Sequence, residues 1–340
     1  MNVFELTRAL VEIESTTRYE KAVGEFLQAH LTALAARFDG HVEKMRVSSE
    51  RDNVFASFGE PIVTLSTHMD TVPPFFPSRE DDEFIWGRGS CDAKGIIAAM
   101  IVAAEKLLAE GTRNLGLLFV VGEEKDSAGA KLAAADPRGA KFLINGEPTE
   151  NRLALGSKGV LRYELAAQGK LAHSAYPELG HSAIHDLLDA LRDIRDIPLP
   201  EDALLGRSTL NVGTIAGGRA PNVVADHASA EVMFRLVGDP ATIREGVRAA
   251  AAGRAEAREA LYHPALRLET FDGLPTTVVA FATDIPVLQG AWGRPFLIGP
   301  GSIHVAHTEE ERIPKQQLGE AVQIYARMAG QLLVTGGASA

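Results

Sequence analysis

The segment "LSTHMDTVPP" (residues 65–74) places an imidazole and a carboxylate where a run of β-forming residues ends. Residues two apart on a strand point to the same face, so His68 and Asp70 lie on one side of it. A carboxylate that accepts the second N–H of an imidazole fixes its tautomer and makes it a better metal ligand. An isolated H-x-D is more often a histidine beside a turn aspartate, so the rest of the chain must decide between the two interpretations.

Short strand-like runs and helical patterns alternate around that segment. Apolar runs typical of strands occupy residues 53–58, 62–68, 115–122 and 142–145. A strongly apolar helical pattern, "GIIAAMIVAAEKLLAEG" (95–111), lies between the second and third of them. Buried strands that alternate with helices predict a mostly parallel α/β sheet with helices on both faces.

The pattern changes after residue 157 and changes back near residue 273. Between these points we predict, in order, a half-exposed strand, a helix, two strands and a helix, at 158–170, 182–195, 208–218, 227–237 and 242–261. This order indicates a small two-layer α+β unit. The sequence therefore predicts one α/β domain, residues 1–157 and 273–340, interrupted by an inserted domain at 158–272.

Composition limits the class of protein. The chain has 340 residues, of which 46% are hydrophobic and 23% charged, as is typical of a globular protein of about two domains. Its net charge of −11 argues against nucleic acid or an anionic membrane as the partner. The one cysteine, Cys91, and an N-terminal segment without the layout of a signal peptide lead us to expect a cytoplasmic protein.

Acidic and imidazole side chains follow several of the predicted strands. Asp92 lies in "GRGSCDAKG" (87–95), Glu123 and Glu124 in "GEEKDSAGA" (122–130), and Glu147 in "NGEPT" (145–149). His307 lies far along the chain in "GPGSIHVAHT" (299–308). Each alone has an ordinary explanation as a turn, a helix cap or a solvated residue. Together with His68 they form the ligand set of a two-metal hydrolase, since imidazoles and carboxylates suit Zn²⁺ and a carboxylate can bridge two ions.

These motifs, with "STHMDTVP", "GEE" and "AHSAYPELGHSAI", occur in the order found in the M20 metallopeptidases, which the chain resembles from end to end. The resemblance implies an α/β catalytic domain interrupted by a dimerisation (lid) domain. It implies two divalent ions, zinc first, with cobalt or manganese as alternatives. It implies the following roles: one zinc on His68 and Glu147, the other on Glu124 and His307, Asp92 bridging both, Asp70 orienting His68, and Glu123 as general base.

The inserted domain has its own matches to the family. His173 resembles a histidine that reaches across a homodimer to the oxyanion of the substrate. Asn222 resembles an asparagine that assists there, and Arg235 an arginine that holds the substrate's carboxylate. Gly299 and Gly301 would let the backbone approach the substrate, although glycines before a helix can equally form an ordinary turn.

The same resemblance predicts the substrate class. The motifs look most like those of acetylornithine deacetylases, which predicts deacetylation of N-acetylornithine and a place in arginine biosynthesis. Three further acyl substrates stay open: succinyl-diaminopimelate, N-acetylcitrulline and carrier-linked lysine. A dipeptidase is also open, as is a metal-free scaffold, although the scaffold predicts a lost ligand and every ligand position here is filled.

Overall fold

The computed structural model describes residues 1–337. The predicted catalytic segment 273–340 therefore ends with three residues outside the described part. Within residues 1–337, no helix is both long and apolar enough to cross a membrane.

The described chain contains helices and short strands in an alternating order. The helices are α1 (Val3–Val11), α2 (Lys21–Phe38), α3 (Lys94–Ala109), α4 (Ala128–Ala135), α5 (Ala183–Arg195), α6 (Ala241–Ala251), α7 (Ile285–Leu288) and α8 (Lys315–Gly337). The strands are β1 (His41–Ser48), β2 (Arg51–Phe58), β3 (Val63–His68), β4 (Arg79–Glu80), β5 (Phe84–Trp86), β6 (Leu115–Val120), β7 (Phe142–Asn145), β8 (Leu153–Ser157), β9 (Gly159–Gln168), β10 (Glu201–Asp202), β11 (Gly206–Arg207), β12 (Thr209–Gly217), β13 (His227–Leu236), β14 (Glu256–His263), β15 (Leu266–Arg267), β16 (Thr276–Val279), β17 (Arg294–Leu297) and β18 (Arg312–Pro314).

The chain divides into two compact units. Unit 1 comprises residues 1–155, 268–277 and 283–340, and unit 2 comprises residues 156–267 and 278–282. Unit 1 contains a six-stranded sheet in the order β1-β2-β6-β3-β7-β17. Its strands β6, β3, β7 and β17 are parallel, whereas β1 and β2 run antiparallel at one edge. The predicted mostly parallel α/β sheet is confirmed, with antiparallel pairing confined to β1 and β2 at one edge.

Alternate residues of the central strands bury two different faces of this sheet. In β6, Leu117 and Phe119 belong to the larger core under α1, α2, α3 and α8. Leu118 and Val120 belong to a smaller core with Trp292, next to α4 and α7. Because successive strand residues point to opposite faces, one apolar strand binds helices on both sides. This two-sided burial fixes the position of the strand ends, where the polar residues lie.

Unit 2 has the predicted two layers. Its antiparallel sheet has the order β12-β13-β9-β14, and α5 and α6 pack on it through one apolar core. The prediction of one helix over 242–261 is wrong in its second half, because α6 ends at Ala251 and β14 begins at Glu256. Alanine-rich sequence favours a helix locally, but pairing of β14 with the buried strand β9 satisfies that strand's backbone and overrides the propensity.

Candidate metal centre

The parallel strands of unit 1 deliver polar side chains to one edge of its sheet. Strand β3 ends at His68, which pairs in register with Val120 at the end of β6. Glu123 and Glu124 follow β6, and Glu147 follows β7. The carboxyl ends of parallel strands are where open α/β sheets build their sites. The strand order therefore brings these residues to a common edge.

Asp92 lies between two histidines. Its Oδ1 is 2.9 Å from Nε2 of His68, and its Oδ2 is 3.3 Å from Nε2 of His307. The same His307 nitrogen lies 2.9 Å from Oε1 of Glu124. Ligand atoms of His68, Asp92 and Glu124 all lie within 4.8 Å of one another. A carboxylate whose two oxygens face two different imidazoles has the geometry needed to share two cations.

Charge interactions at these histidines indicate what would happen on metal binding. Burial alone would lower the pKa of His68, but its contacts with Asp70 and Asp92 raise the pKa well above its ordinary value. Hydrogen bonds to Asp92 and Glu124 raise the pKa of His307 to about 10. Both imidazoles therefore carry a proton between carboxylates, and a metal ion would replace that proton.

Glu147 is the least satisfied member of the group. Its side chain is buried, and within residues 1–337 it makes no hydrogen bond or ion pair. Burial raises its pKa well above the ordinary value; His68 opposes this, and Asp92 and Glu124 add to it. A buried carboxylate without a partner is costly unless a cation is bound. The donor set of two imidazoles and three carboxylates thus fits divalent metal ions.

Asp70 holds the loop after β6 more directly than it holds the ring of His68. Its Oδ1 accepts the backbone N–H groups of Gly122 at 2.9 Å and Glu123 at 3.1 Å, and its Oδ2 accepts the N–H of Glu124 at 3.3 Å. Nδ1 of His68 lies 3.0 Å from the backbone carbonyl of Asp70 but 3.6 Å from the carboxylate. Because a carbonyl only accepts, Nδ1 keeps its hydrogen, and Nε2, which faces Asp92, is the nitrogen that would exchange its proton for a metal ion.

Glu123 has the environment of a proton-transfer residue. Burial raises the pKa of its carboxyl well above the ordinary value, and repulsion from Glu147, Asp284 and Glu124 raises it further. A carboxyl group whose pKa moves toward neutrality can both accept and donate a proton at working pH. Whether Glu123 acts as the general base depends on the metal ions and the substrate that bind beside it.

Comparison with known proteins agrees with this geometry. The family model described as "Peptidase family M20/M25/M40" matches residues 64–331. The chain belongs to this family. It is 43% identical to a peptidase M20 domain-containing protein of Schizosaccharomyces pombe, over 96% of this chain and 84% of that protein. It is 40% identical to a probable carboxypeptidase of Aspergillus terreus, over 94% of this chain and 84% of that one.

Solved structures of M20 enzymes share the fold. Aminopeptidase PepT of Bacillus cereus gives a TM-score of 0.79 at 20% identity, covering 98% of each chain. A metallo-carboxypeptidase of Sulfolobus solfataricus gives 0.77 at 17% identity, covering 98% of this chain and 100% of that one. A Bacillus subtilis peptidase described as dinuclear and metal-binding gives 0.68 at 17% identity, covering 98% and 97%. This M20 chain is a metallopeptidase-type hydrolase of amide or peptide bonds.

Three further residues singled out in the M20 sequence lie in unit 2. Nδ1 of the exposed His173 accepts the N–H of Ala175 at 3.1 Å, and the neighbouring Ser174 donates its N–H to the carbonyl of Asn222 at 3.0 Å. His173 and Asn222 are therefore on adjacent segments. Arg235 lies on β13, on the face opposite the buried Phe234. Its guanidinium makes no ion pair or hydrogen bond within residues 1–337, and burial lowers its pKa.

Gly299 and Gly301 have packing roles in this M20 chain. A Cβ on Gly299 would lie 2.6 Å from the carbonyl oxygen of Glu147, and one on Gly301 would lie 2.6 Å from Sγ of Cys91. Gly301 also has a φ of 87°, a conformation that side chains disfavour. Their N–H groups bond to Thr149 and Gln317. The structure thus gives both glycines a reason to be glycine that needs no substrate, and a role toward substrate stays a prediction.

A buried ion pair lies beside the proposed ligands and was not predicted from the sequence. Arg88 and Glu311 are both buried and bonded to each other, although 223 residues separate them. Burial raises the pKa of Glu311 to about 7, Asp92 adds to this and Arg88 opposes it. The only signal in the sequence was position, since Arg88 lies in "GRGSCD" and Glu311 four residues after His307. Neither position by itself indicates a contact between them.

Proposed function

We propose that this M20 hydrolase is a two-metal enzyme that cleaves the amide bond of a small substrate with a free α-carboxylate, either an N-acyl amino acid or a short peptide. The observation that carries the proposal is Asp92, whose two oxygens face His68 and His307 separately. A structural carboxylate needs only one such partner. A carboxylate shared between two cations needs both sides of the group open to imidazole ligands.

The proposed ligands divide into two sets that share Asp92. His68 and Glu147 would hold one ion, and Glu124 and His307 the other. Zinc suits this mixture of imidazole and carboxylate, and cobalt or manganese would be accepted by the same donors. When bound, the ions lower the pKa of a water and polarise the amide carbonyl.

Glu123 would move the proton of the reaction. Its carboxylate takes a proton from the attacking water and later gives it to the departing amine, as a group with a pKa tuned toward neutrality can do. Asp70 fixes the backbone at Glu123 and Glu124 through three N–H bonds, so the base and its neighbouring ligand are held by one carboxylate. The two adjacent glutamates would therefore have different tasks, with Glu123 transferring the proton and Glu124 binding a metal ion.

His173 and Asn222 would stabilise the oxyanion that forms on the substrate. Since Nδ1 of His173 accepts a backbone N–H, the neutral ring carries its hydrogen on Nε2 and can donate it. Donors directed at developing negative charge are a large part of amide hydrolysis by enzymes. In the proposed homodimer His173 would serve the partner's site. Strand β12, an edge of the unit 2 sheet that carries the exposed Ile215, is the surface we propose for pairing.

Arg235 would hold the substrate's carboxylate, and Gly299 and Gly301 would let the backbone approach the substrate closely. A half-buried guanidinium without a carboxylate partner in residues 1–337 is available for a ligand. Arginine matches a carboxylate with two parallel hydrogen bonds. The names of relatives favour the same group, because a carboxypeptidase must recognise a terminal carboxylate and both the A. terreus and S. solfataricus proteins are described as carboxypeptidases.

N-acetylornithine, the substrate expected from the motifs, is one member of the proposed substrate class of N-acyl amino acids and short peptides with a free α-carboxylate. The reported relatives are named for carboxypeptidase or M20 membership and not for acetylornithine. Succinyl-diaminopimelate, N-acetylcitrulline and carrier-linked lysine fit the same mechanism. A dipeptidase also fits, because a dipeptide has the amide and the carboxylate. A place in arginine biosynthesis follows only if N-acetylornithine is the preferred substrate. A cytoplasmic location follows only if the free thiol of Cys91 reflects a reducing compartment.

Amine release from a substrate panel tests the proposal. Protein loaded with zinc, cobalt or manganese is given N-acetylornithine, N-acetylcitrulline, succinyl-diaminopimelate and two dipeptides, together with carboxyl-amidated analogues. We expect cleavage of at least one substrate with a free carboxylate, and a loss of about 10²–10⁴-fold in kcat for Glu123→Gln with its metals retained. Equal cleavage of the amidated analogues would refute the carboxylate requirement. Bound metals with no hydrolysis of any substrate would favour the scaffold.

A further inference from the structure

Glu311 has a buried carboxylate that is not a proposed metal ligand, and it accepts hydrogen bonds from the backbone of the loop that carries Asp92. Oε1 of Glu311 accepts the N–H of Gly89 at 2.9 Å, of Cys91 at 3.2 Å and of Asp92 itself at 3.1 Å. Three N–H groups converging on one oxygen form an anion-binding concavity of the backbone. Here the anion is a side chain of the same protein, and charge strengthens each of the three bonds.

The second oxygen of Glu311 extends the network to the loop after β3. Oε2 accepts a hydrogen bond from Arg88, whose Nε donates to the carbonyl of Pro74 at 3.1 Å. The guanidinium also lies over the ring of Phe76, with its carbon 4.8 Å from the ring centre. Arg88 therefore connects Glu311 to the segment that begins with His68 and Asp70.

Glu311 is also attached to the last ligand segment. It lies four residues after His307, and its own backbone carbonyl accepts the N–H of Gly87 at 3.1 Å. One side chain and one carbonyl thus join the segments that carry Asp92, His307 and the end of β3. A displacement of Asp92 by about half an ångström would lengthen at least one of its two imidazole contacts, because its two oxygens contact different imidazoles.

We propose that Glu311 is a positioning residue that, through Arg88 and the N–H groups of residues 89–92, sets the place of Asp92 and so the spacing of the two metal ions. The inference rests on the proposed two-metal function. Loss of an outer partner of a metal ligand lowers metal affinity by about 10- to 100-fold. The loss should be larger for the ion held by His307 and Glu124, since both Asp92 and the His307 segment depend on Glu311.

Metal affinity of the full chain is the measurement. Zn²⁺ binding is followed by competition with a chromophoric chelator, and the visible spectrum of bound Co²⁺ reports ligand geometry. We expect Glu311→Gln to bind the second equivalent about 10- to 100-fold more weakly, to change the Co²⁺ spectrum, and to recover activity in excess metal. Glu43→Gln is the control, because it breaks an Arg–Glu pair of unit 1 with Arg138 and touches no ligand segment.

The outcomes separate the two proposals. Wild-type protein that binds fewer than two ions under all conditions would refute the two-metal function itself. Wild-type protein that binds two ions, with Glu311→Gln equal to it in affinity and spectrum, would refute the positioning role alone. A lower melting temperature with unchanged metal affinity would make Glu311 a purely structural residue and would equally refute it.

A second variant covers the case in which Glu311→Gln does not fold. Arg88→Lys keeps the positive charge beside Glu311 but cannot bond to Glu311 and Pro74 in the same way, since an ammonium lacks the planar fork. We expect a smaller loss, about 3- to 10-fold in affinity for the second ion, below the full effect of an outer partner. Unchanged affinity in a folded Arg88→Lys would overturn the proposal.

Discussion

Two aspartates at the polar edge of the unit 1 sheet and an arginine on the polar face of the unit 2 sheet are used in opposite ways. At the first, Asp92 and Asp70 are buried and bonded within the protein on both oxygens. At the second, Arg235 is without a partner within residues 1–337, and in the same unit, outside the sheet, the ring of His173 is exposed. Side chains that are hydrogen-bonded within the chain fix the positions of the residues around them. Side chains without such a partner are available to bind another molecule. Mutations should therefore affect metal binding at the first region and substrate binding at the second.

The largest effect is expected at Asp92. Asp92→Asn removes the charge shared by both sites, so both ions should be lost and activity should fall by about 10³-fold or more, beyond the 10- to 100-fold of an outer partner. Metal per chain after dialysis and kcat/KM measure this. Glu124→Gln is the matched variant, since it should lose one ion and keep the other. Retention of two ions by Asp92→Asn would show that Asp92 is not shared.

A smaller and different effect is expected at Arg235. Arg235→Met removes a charge-assisted contact worth about 1.5–3 kcal/mol, which corresponds to about 10- to 150-fold in kcat/KM. Metal content and melting temperature should not change, because the guanidinium has no partner to lose within residues 1–337. Arg162→Met, on the same sheet but paired with Glu231, is the control. If Arg235→Met cleaves carboxyl-amidated and free substrates in the wild-type ratio, Arg235 does not bind the carboxylate.

The same contrast explains what the sequence could predict. His68, Glu124 and Glu147 follow apolar strands, and strand ends of a parallel sheet meet at one edge, so their proximity was predictable. The pairing of Arg88 with Glu311 was not, because no periodic pattern connects residues 223 apart. The second half of 242–261 was misjudged for a related reason. Its alanines favour a helix locally, but its partner β9 lies far back in the chain and decides the outcome.

One strand of the unit 1 sheet also depends on a pairing that the local sequence pattern does not reveal. Strand β1 was not predicted, because most of "HVEKMRVS" is half-buried or exposed and the strand gains its structure from the antiparallel partner β2. The domain boundaries and the roles assigned to His173 and Asn222 stay predictions. A local apolar pattern is enough to identify a buried helix or strand. A half-exposed strand depends on a pairing partner that its own sequence does not identify.

The smallest effect concerns His307 and depends on pH. In the metal-free protein its folded pKa, about 10, exceeds the ordinary value of 6.5, so the imidazolium contact stabilises the fold fully below pH 6.5 and less as the pH rises toward 10. The melting temperature of wild type in chelator should therefore exceed that of His307→Gln most at pH 6. The side chain is 47% exposed, so solvent screening should keep the difference to about 1–2 °C.

Adding metal should reverse the slope of that difference. A metal ion needs the neutral imidazole, so the advantage of wild type over His307→Gln should grow as the pH rises and the proton leaves. His304→Gln is the control, because His304 lies on the same exposed segment and makes no ion pair within residues 1–337. A difference that rises with pH in chelator as well would mean that His307 carries no proton between Asp92 and Glu124. In that case His307 would be as open a group as Arg235, and the contrast between the two regions would be wrong at this ligand.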